Sequence, residues 1–141
     1  MNYQLLDSGH LRKLEQVGPY RLIRPALNAF WGPSLPASEW EAADAVFTRD
    51  SSGGGKWSFR NRLPEAWFAE WGGFELKMKP TGFGHLGFFA EQYRNWDFFR
   101  SPESGLGEGT KALNLFAYSG VGSMAMAQAG VPMRVMMPPM P

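Results

Sequence analysis

Short runs in which apolar and polar residues alternate fill the first two thirds of the chain, bounded by glycine or proline. This spacing is typical of half-buried β-strands. The runs predict strands at residues 3–7, 20–24, 45–48, 56–60, 67–71 and 74–79. In the last of these, Phe74, Leu76 and Met78 face one side and charged residues face the other. Gly72-Gly73 precedes it and supplies the positive φ of a tight hairpin turn.

The segment Asp50–Gly55 connects two of these strands and ends in three consecutive glycines. Such a composition favours a flexible hairpin connection. A phosphate-binding loop would require a Lys-Ser/Thr pair and a helix after it. Neither follows, so we predict a solvated loop here.

The pattern changes after Pro80. Residues 91–100 have helical spacing, which places Trp96, Phe99 and Arg100 on related faces. Residues 101–110, rich in glycine, predict a linker. Lys111–Ala117 is an apolar run suited to a buried parallel strand. A glycine turn follows it, and then a helix over residues 124–129 that Gly130 is placed to end.

Methionine and proline dominate residues 131–141, which contain four of the eight methionines and four of the eleven prolines. Because proline removes a backbone donor and clashes in regular structure, we expect neither a helix nor a central strand there. We expect this Met/Pro-rich tail to be disordered.

An uncharged stretch runs from Ala112 to Met133 and is long enough to span a bilayer. Polar side chains interrupt it, at Asn114, Ser119, Ser123 and Gln128, and so do three glycines. We therefore predict no membrane partner, and membrane insertion remains the alternative.

Composition excludes several classes of site. The net charge of +1 offers no global basic field. With no cysteine and only two histidines, disulfides, cysteine-ligated metals and a cysteine nucleophile are excluded, and we predict no metal. Apolar residues at 44% indicate a packed core. The first residues lack the features of a secretory signal, which predicts a cytoplasmic location.

The strand, glycine turn and helix at residues 112–130 are the strongest functional candidate. A turn at the end of a parallel strand can expose backbone N–H groups beside a helix N-terminus, where a nucleotide-like ligand approaches closely. Gly120-x-Gly122 is shorter than the full dinucleotide motif. From the local pattern alone, the alternative interpretation is a turn with a packing role and no ligand.

Three segments carry a family resemblance: Tyr3–Gly9, Thr81–Gln92 and Leu113–Gly120. They resemble class I S-adenosylmethionine (SAM)-dependent methyltransferases related to the 23S rRNA cytosine-C5 methyltransferases. The resemblance implies an α+β to α/β fold, with a β-rich N-terminal region at 1–100. The first strand-turn-helix of a truncated Rossmann-like methyltransferase domain follows at 111–130.

The resemblance also implies SAM as cofactor and RNA as partner. It assigns seven residues to the donor pocket, namely Phe88, Gln92, Asn114, Phe116, Tyr118, Ser119 and Gly120. Aromatic faces favour a sulfonium cation, and the Ser119 hydroxyl can form hydrogen bonds. In the alternative interpretation, Phe88 belongs to the core and Gln92 only begins a helix.

The chain also departs from that family. After Gly130 the family continues into a second strand whose terminal acid holds the donor ribose, and then to a catalytic loop. Residues 131–141 match neither feature. The cytosine-directed members also use a cysteine nucleophile. We therefore expect an N-terminal fragment of an rRNA methyltransferase, without catalytic residues, inactive alone and weak in donor binding.

The competing hypothesis is a non-enzymatic RNA-binding or interaction module built on the β-rich region. It requires exposed rings beside arginines. It expects four tryptophans to be partly exposed, namely Trp40, Trp57, Trp67 and Trp71. The arginines are Arg60, Arg62, Arg94 and Arg100, which are interleaved with Trp57, Phe59 and Trp96. The alternative interpretation of these arginines is amphipathic packing on the protein surface. For His85 we expect a structural role.

Overall fold

The computed structural model describes residues 3–107 and 109–135, without the side chain of Val135. The described chain forms two compact units. The first contains the residues up to Trp71 together with Glu75–Leu86. The second contains Gly72–Phe74 and the residues from Gly87 onward.

A five-stranded sheet forms the first unit. Its strands are β1 (Tyr3–Gly9), β2 (Arg12–Val17), β3 (Tyr20–Pro25), β4 (Ala45–Arg49) and β5 (Gly55–Phe59), and they pair in chain order. Every pairing is antiparallel except β3 with β4. A short helix, α1 (Ala37–Glu41), lies in the connection between those two strands. The strands predicted at 3–7, 20–24, 45–48 and 56–60 are confirmed, whereas β2 and α1 are not predicted.

Strand β2 lies between β1 and β3, and both of its faces are covered. Leu14 pairs with Ile23 of β3, and these two residues pack with Trp40 and Ala43 in the buried core of one face. The neighbouring residue Glu15 is also fully buried, on the opposite face. A strand covered on both faces and carrying a charge has no polar–apolar alternation, which explains why its sequence does not predict it.

Buried Glu15 is the centre of a polar network. Arg24 donates to both of its carboxylate oxygens, at 2.6 and 2.8 Å, and Tyr3 Oη donates at 2.7 Å. Lys13 lies 2.9 Å away, and Arg24 also donates to the carbonyl of Gly84 at 3.0 Å. Burial alone would raise the pKa of Glu15, but Arg24, Lys13 and Tyr3 outweigh it and hold this pKa below its ordinary value.

The predicted hairpin is confirmed as β6 (Trp67–Trp71) and β7 (Phe74–Met78). The turn residues Gly72 and Gly73 have φ values of 60° and 79°. Leu76 and Met78 are buried, as the alternation predicts.

The second unit begins with a 3-10 turn at Ala90–Gln92 and contains α2 (Tyr93–Arg100), β8 (Ala112–Asn114), α3 (Val121–Gln128) and β9 (Met133–Val135). Helices α2 and α3 pack together. Strands β8 and β9 are parallel and joined by α3, which makes a strand-helix-strand unit. The helix predicted at 91–100 is confirmed. The helix predicted at 124–129 is present and starts earlier, and Gly130 follows its end with φ of 81°.

Two expectations for this region hold only in part. Residues 133–135 of the Met/Pro-rich segment form β9 and are therefore not disordered, but β9 pairs only with β8 in a two-stranded sheet, which agrees with the expectation of no helix and no central strand among the described residues. Residues 136–141 lie outside the described residues. The strand predicted at 111–117 ends at Asn114, and it is not buried, since Leu113 and Leu115 are 59% and 52% exposed.

The uncharged stretch 112–133 is divided between β8, a turn, α3 and the start of β9. Within the part of the chain that the structure describes, no helix has the length and apolarity needed to cross a membrane.

Candidate functional site

An open cavity of about 410 Å³ lies in the second unit, where the turn after β8 leads into α3. It is lined by Phe89, Gln92, Trp96, Phe99, Leu113, Asn114, Phe116, Ala117, Tyr118, Ser119, Val121, Gly122 and Met126. None of these described residues carries a charge. The cavity therefore suits a ligand that is bound by aromatic faces, amides and backbone groups.

The turn at residues 115–120 forms one wall of the cavity. Gly120 precedes α3 with φ of 84°, and its N–H donates to the carbonyl of Ala117 at 2.7 Å. Tyr118 has φ of 50°, in the left-handed region that residues other than glycine rarely adopt. No side chain caps the N-terminus of α3. Its first N–H groups lack intrahelical partners and can therefore receive a carboxylate or phosphate oxygen.

Aromatic rings form a second wall. The rings of Phe89 and Tyr118 lie 4.8 Å apart, between their centroids. Trp96 is buried in α2 and meets Phe74 edge-on at 6.2 Å. Phe116 is 92% exposed. Ring faces of this kind attract a cation electrostatically, so the wall suits a positively charged group.

The structure brings five of the seven predicted donor-site residues to this cavity, namely Gln92, Asn114, Phe116, Tyr118 and Ser119. Gly120 lies in the same turn, outside the lining. Phe88 is 3% exposed and does not line the cavity, which fits the alternative interpretation of a core residue. The roles of these residues in donor binding stay predictions.

Sequence reasoning did not place Phe89, Trp96, Phe99 and Met126 at the site. For Trp96 and Phe99, a signal was present. They follow Gln92 at four and seven positions, so one helix face carries all three. Met126 lies in α3, and Phe89 contacts the ring of Tyr118 in the turn, and no local pattern indicates either position.

His85 lies in the first unit and does not line the cavity. Its backbone N–H donates to Thr81 Oγ1 at 3.1 Å, and its carbonyl accepts from the Thr81 N–H at 3.0 Å. Burial lowers the pKa of His85, and the positive charges of Arg24 and Arg49 lower it further. Among the described residues, no group of three or more His, Asp or Glu side chains could hold a metal ion.

The expectation that four tryptophans are partly exposed is wrong for two of them. Trp40 and Trp67 are 8% and 7% exposed, because they pack in the core of the first unit. Trp57 and Trp71 are half-buried. An exposed arginine segment does exist at residues 59–63, around a shallow concavity of about 360 Å³.

Two parallel strands joined by a helix, with a glycine turn, define an α/β unit with an aromatic cavity beside a helix N-terminus. The chain is similar to the crystal structure of the SAM-dependent methyltransferase from Agrobacterium tumefaciens, at 39% identity and a TM-score of 0.84. The match covers 96% of this chain and 43% of that one.

Two further solved structures share the fold at 14% identity. One is a candidate SAM-dependent methyltransferase from Streptococcus mutans, with a TM-score of 0.67 and coverage of 95% of this chain and 38% of that one. The other is a candidate methyltransferase in complex with S-adenosylhomocysteine, with a TM-score of 0.65 and coverage of 95% and 37%. No protein-family model and no curated protein matches the chain.

The chain is therefore related to the class I SAM-dependent methyltransferases, as its motifs predict, and it spans less than half of the length of each of these relatives. Its mixed α/β architecture, with a β-rich sheet and few helices, is consistent with that relation. The rRNA cytosine-C5 subtype stays a prediction.

Proposed function

We propose that the chain is part of a SAM-dependent methyltransferase and that the cavity of the second unit receives the methyl donor. The observation that carries the proposal is the uncharged aromatic cavity beside the uncapped N-terminus of α3. In this proposal, β8, α3 and β9 are the first strand-helix-strand of a Rossmann-like domain. The 39% identity to the Agrobacterium tumefaciens enzyme supports it.

The residues present fit the chemistry of SAM. The donor supplies a methyl group on a sulfonium cation, which the ring faces of Phe116 and Tyr118 attract. The first N–H groups of α3 suit the carboxylate of its methionine part. The Ser119 hydroxyl and the Gln92 amide offer further hydrogen bonds. Because Phe116 and Tyr118 are 92% and 45% exposed, we expect affinity in the millimolar range, about −4 kcal/mol.

Titration of the full chain with SAM, followed by amide chemical shifts, tests this site. We expect shifts concentrated at residues 116–122. Phe116→Ala should weaken binding about two- to fivefold, because it removes one exposed ring face from the cation. Phe30→Ala is the matched control, since Phe30 is 79% exposed and lies in the first unit. Shifts that spread over the first unit, or none at all, would contradict the proposal.

The proposed acceptor is RNA, specifically an rRNA base. Support comes from the family resemblance and from residues 56–62, where Lys56, Arg60 and Arg62 occur without any acidic residue. Phe59 is 53% exposed and stacks on Trp57, with centroids 6.3 Å apart and planes 21° from parallel. A ring beside exposed cations suits stacking with an unpaired base and contact with its phosphates.

RNA binding to this segment gives the second prediction. Phe59→Ala should weaken the binding of a single-stranded oligoribonucleotide by about 1–3 kcal/mol, through lost stacking. Arg62→Ala should reduce the slope of log K against log salt by about 0.7, through one lost phosphate contact. Lys79→Ala removes the same charge from an exposed lysine paired with Glu65, and serves as control. Equal effects of all three variants in filter-binding assays would argue against a defined RNA contact.

The chain contains no cysteine, so its own residues cannot form the covalent adduct at C6 that cytosine-C5 methylation uses. We propose that the chain alone does not transfer methyl groups to cytosine. A non-enzymatic RNA-binding module is the alternative function. Burial of Trp40 and Trp67 removes two of the rings on which that hypothesis depends.

A further inference from the structure

Asn114 is the last residue of β8, and both ends of its carboxamide form hydrogen bonds inside the protein. Nδ2 donates to Ser123 Oγ at 3.0 Å. Oδ1 accepts the backbone N–H of Phe116 at 3.2 Å. Ser123 is 6% exposed and lies in the first turn of α3. One side chain thus joins the end of β8, the turn that follows and the helix.

The turn at residues 115–120, which Asn114 joins to α3, forms one wall of the cavity. Phe116, Tyr118 and Ser119 all lie between Asn114 and α3. Within it, Tyr118 holds a left-handed φ of 50°, which persists only where surrounding contacts determine the backbone. Leu115 and Phe116 add little apolar packing to this turn, since they are 52% and 92% exposed. Buried Ala117, the Phe89–Tyr118 ring contact and the hydrogen bonds of Asn114 are therefore the contacts that fix its conformation.

We propose that Asn114 and Ser123 form a latch that positions the turn at residues 115–120, and that Asn114 acts on the methyl donor through this turn. The proposal rests on the donor site proposed above and adds Ser123 as a positioning residue. Ser123 does not line the cavity. Any effect of Ser123 on donor binding must therefore pass through Asn114 or α3.

The latch can be tested without a ligand, by measuring amide hydrogen exchange. Asn114→Ala and Ser123→Ala should each speed the hydrogen exchange of the Phe116 amide in the free protein, because its acceptor is lost or released. In SAM titrations, each variant should weaken binding about fivefold, the effect of one typical hydrogen bond. The double variant should be no weaker than the weaker single one, since both changes break the same unit.

Asn114→Asp provides the conservative rescue. Its carboxylate can accept from both the Ser123 hydroxyl and the Phe116 N–H, so the hydrogen exchange of the Phe116 amide in the free protein should stay near that of the native chain. Met124→Ala is the matched control in α3, because Met124 is exposed and lies outside the cavity lining. It should change neither measurement.

Three results separate the hypotheses. If Ser123→Ala changes neither exchange nor binding while Asn114→Ala weakens binding, Asn114 contacts the donor directly and the latch is refuted. Additive losses in the double variant would refute it as well. If the native chain shows no SAM-dependent shifts but the exchange signature is present, the proposed donor site fails and the structural latch is supported.

Discussion

Replacing Glu15 with alanine should lower the free energy of unfolding by about 3–5 kcal/mol, the usual effect of breaking a buried ion pair. Arg24, whose side chain is 11% exposed, would lose both hydrogen bonds to the carboxylate and keep a buried charge without its anionic partner. Tyr3 would also lose its acceptor. Urea unfolding of the full chain, followed by circular dichroism, measures the loss.

Glu39→Ala is the matched control. Glu39 pairs with Arg21 at 2.8 Å, but both side chains are well exposed, at 44% and 38%. Solvent screens such a pair, so its removal should cost less than about 1 kcal/mol. A similar loss for Glu15→Ala and Glu39→Ala would show that the buried network does not hold the sheet together.

The pH dependence of stability provides a second readout for Glu15. Its pKa is lower in the folded chain than its ordinary value of 4.5. The stability it contributes is therefore complete above about pH 4.5 and is lost as the pH falls through the lowered pKa. Glu15→Gln should flatten the fall in stability on acidification. An unchanged profile would mean that this carboxylate is not the group that titrates.

Strands with one solvent-exposed face could be predicted from the sequence, because apolar and polar residues alternate along a strand that is buried on one face only. The hairpin through Gly72-Gly73 is such a case, since its turn and its alternation are both local. β2 could not be predicted in this way. Leu14 and Glu15 are both buried, and the carboxylate is tolerated only because Arg24, nine residues away, reaches it.

The candidate site also combines features that the local sequence predicts with features that depend on long-range packing. The segment Leu113–Gly120 predicts a strand and a turn, because its glycine and its apolar run are contiguous. The pairing of β9 with β8 joins residues about 20 positions apart, so no local pattern indicates it. The prolines near β9 are local and predicted disorder instead. The bond from Asn114 to Ser123 spans nine positions and depends on where α3 begins. Such contacts become visible only once the elements are packed.

The segment Thr81–Gln92 supports the family resemblance, yet its Gly84 has a structural role that can be tested directly. Gly84 has φ of 76°, and a Cβ placed on it would lie 2.6 Å from the ring of Phe47. Gly84→Ala therefore combines a left-handed backbone with overpacking of a buried ring. We expect a loss of about 3 kcal/mol in the free energy of unfolding, measured by urea unfolding.

Gly82→Ala is the control for Gly84→Ala because it lies in the same loop. No heavy atom lies within 4 Å of the position that a Cβ on Gly82 would take, and its φ is outside the left-handed region. It should change stability by no more than about 0.5 kcal/mol. Since Arg24 donates to the Gly84 carbonyl, Gly84→Ala should also lose part of its effect in a chain that carries Glu15→Ala. Full additivity of the two substitutions would show that this loop and the buried ion pair are independent.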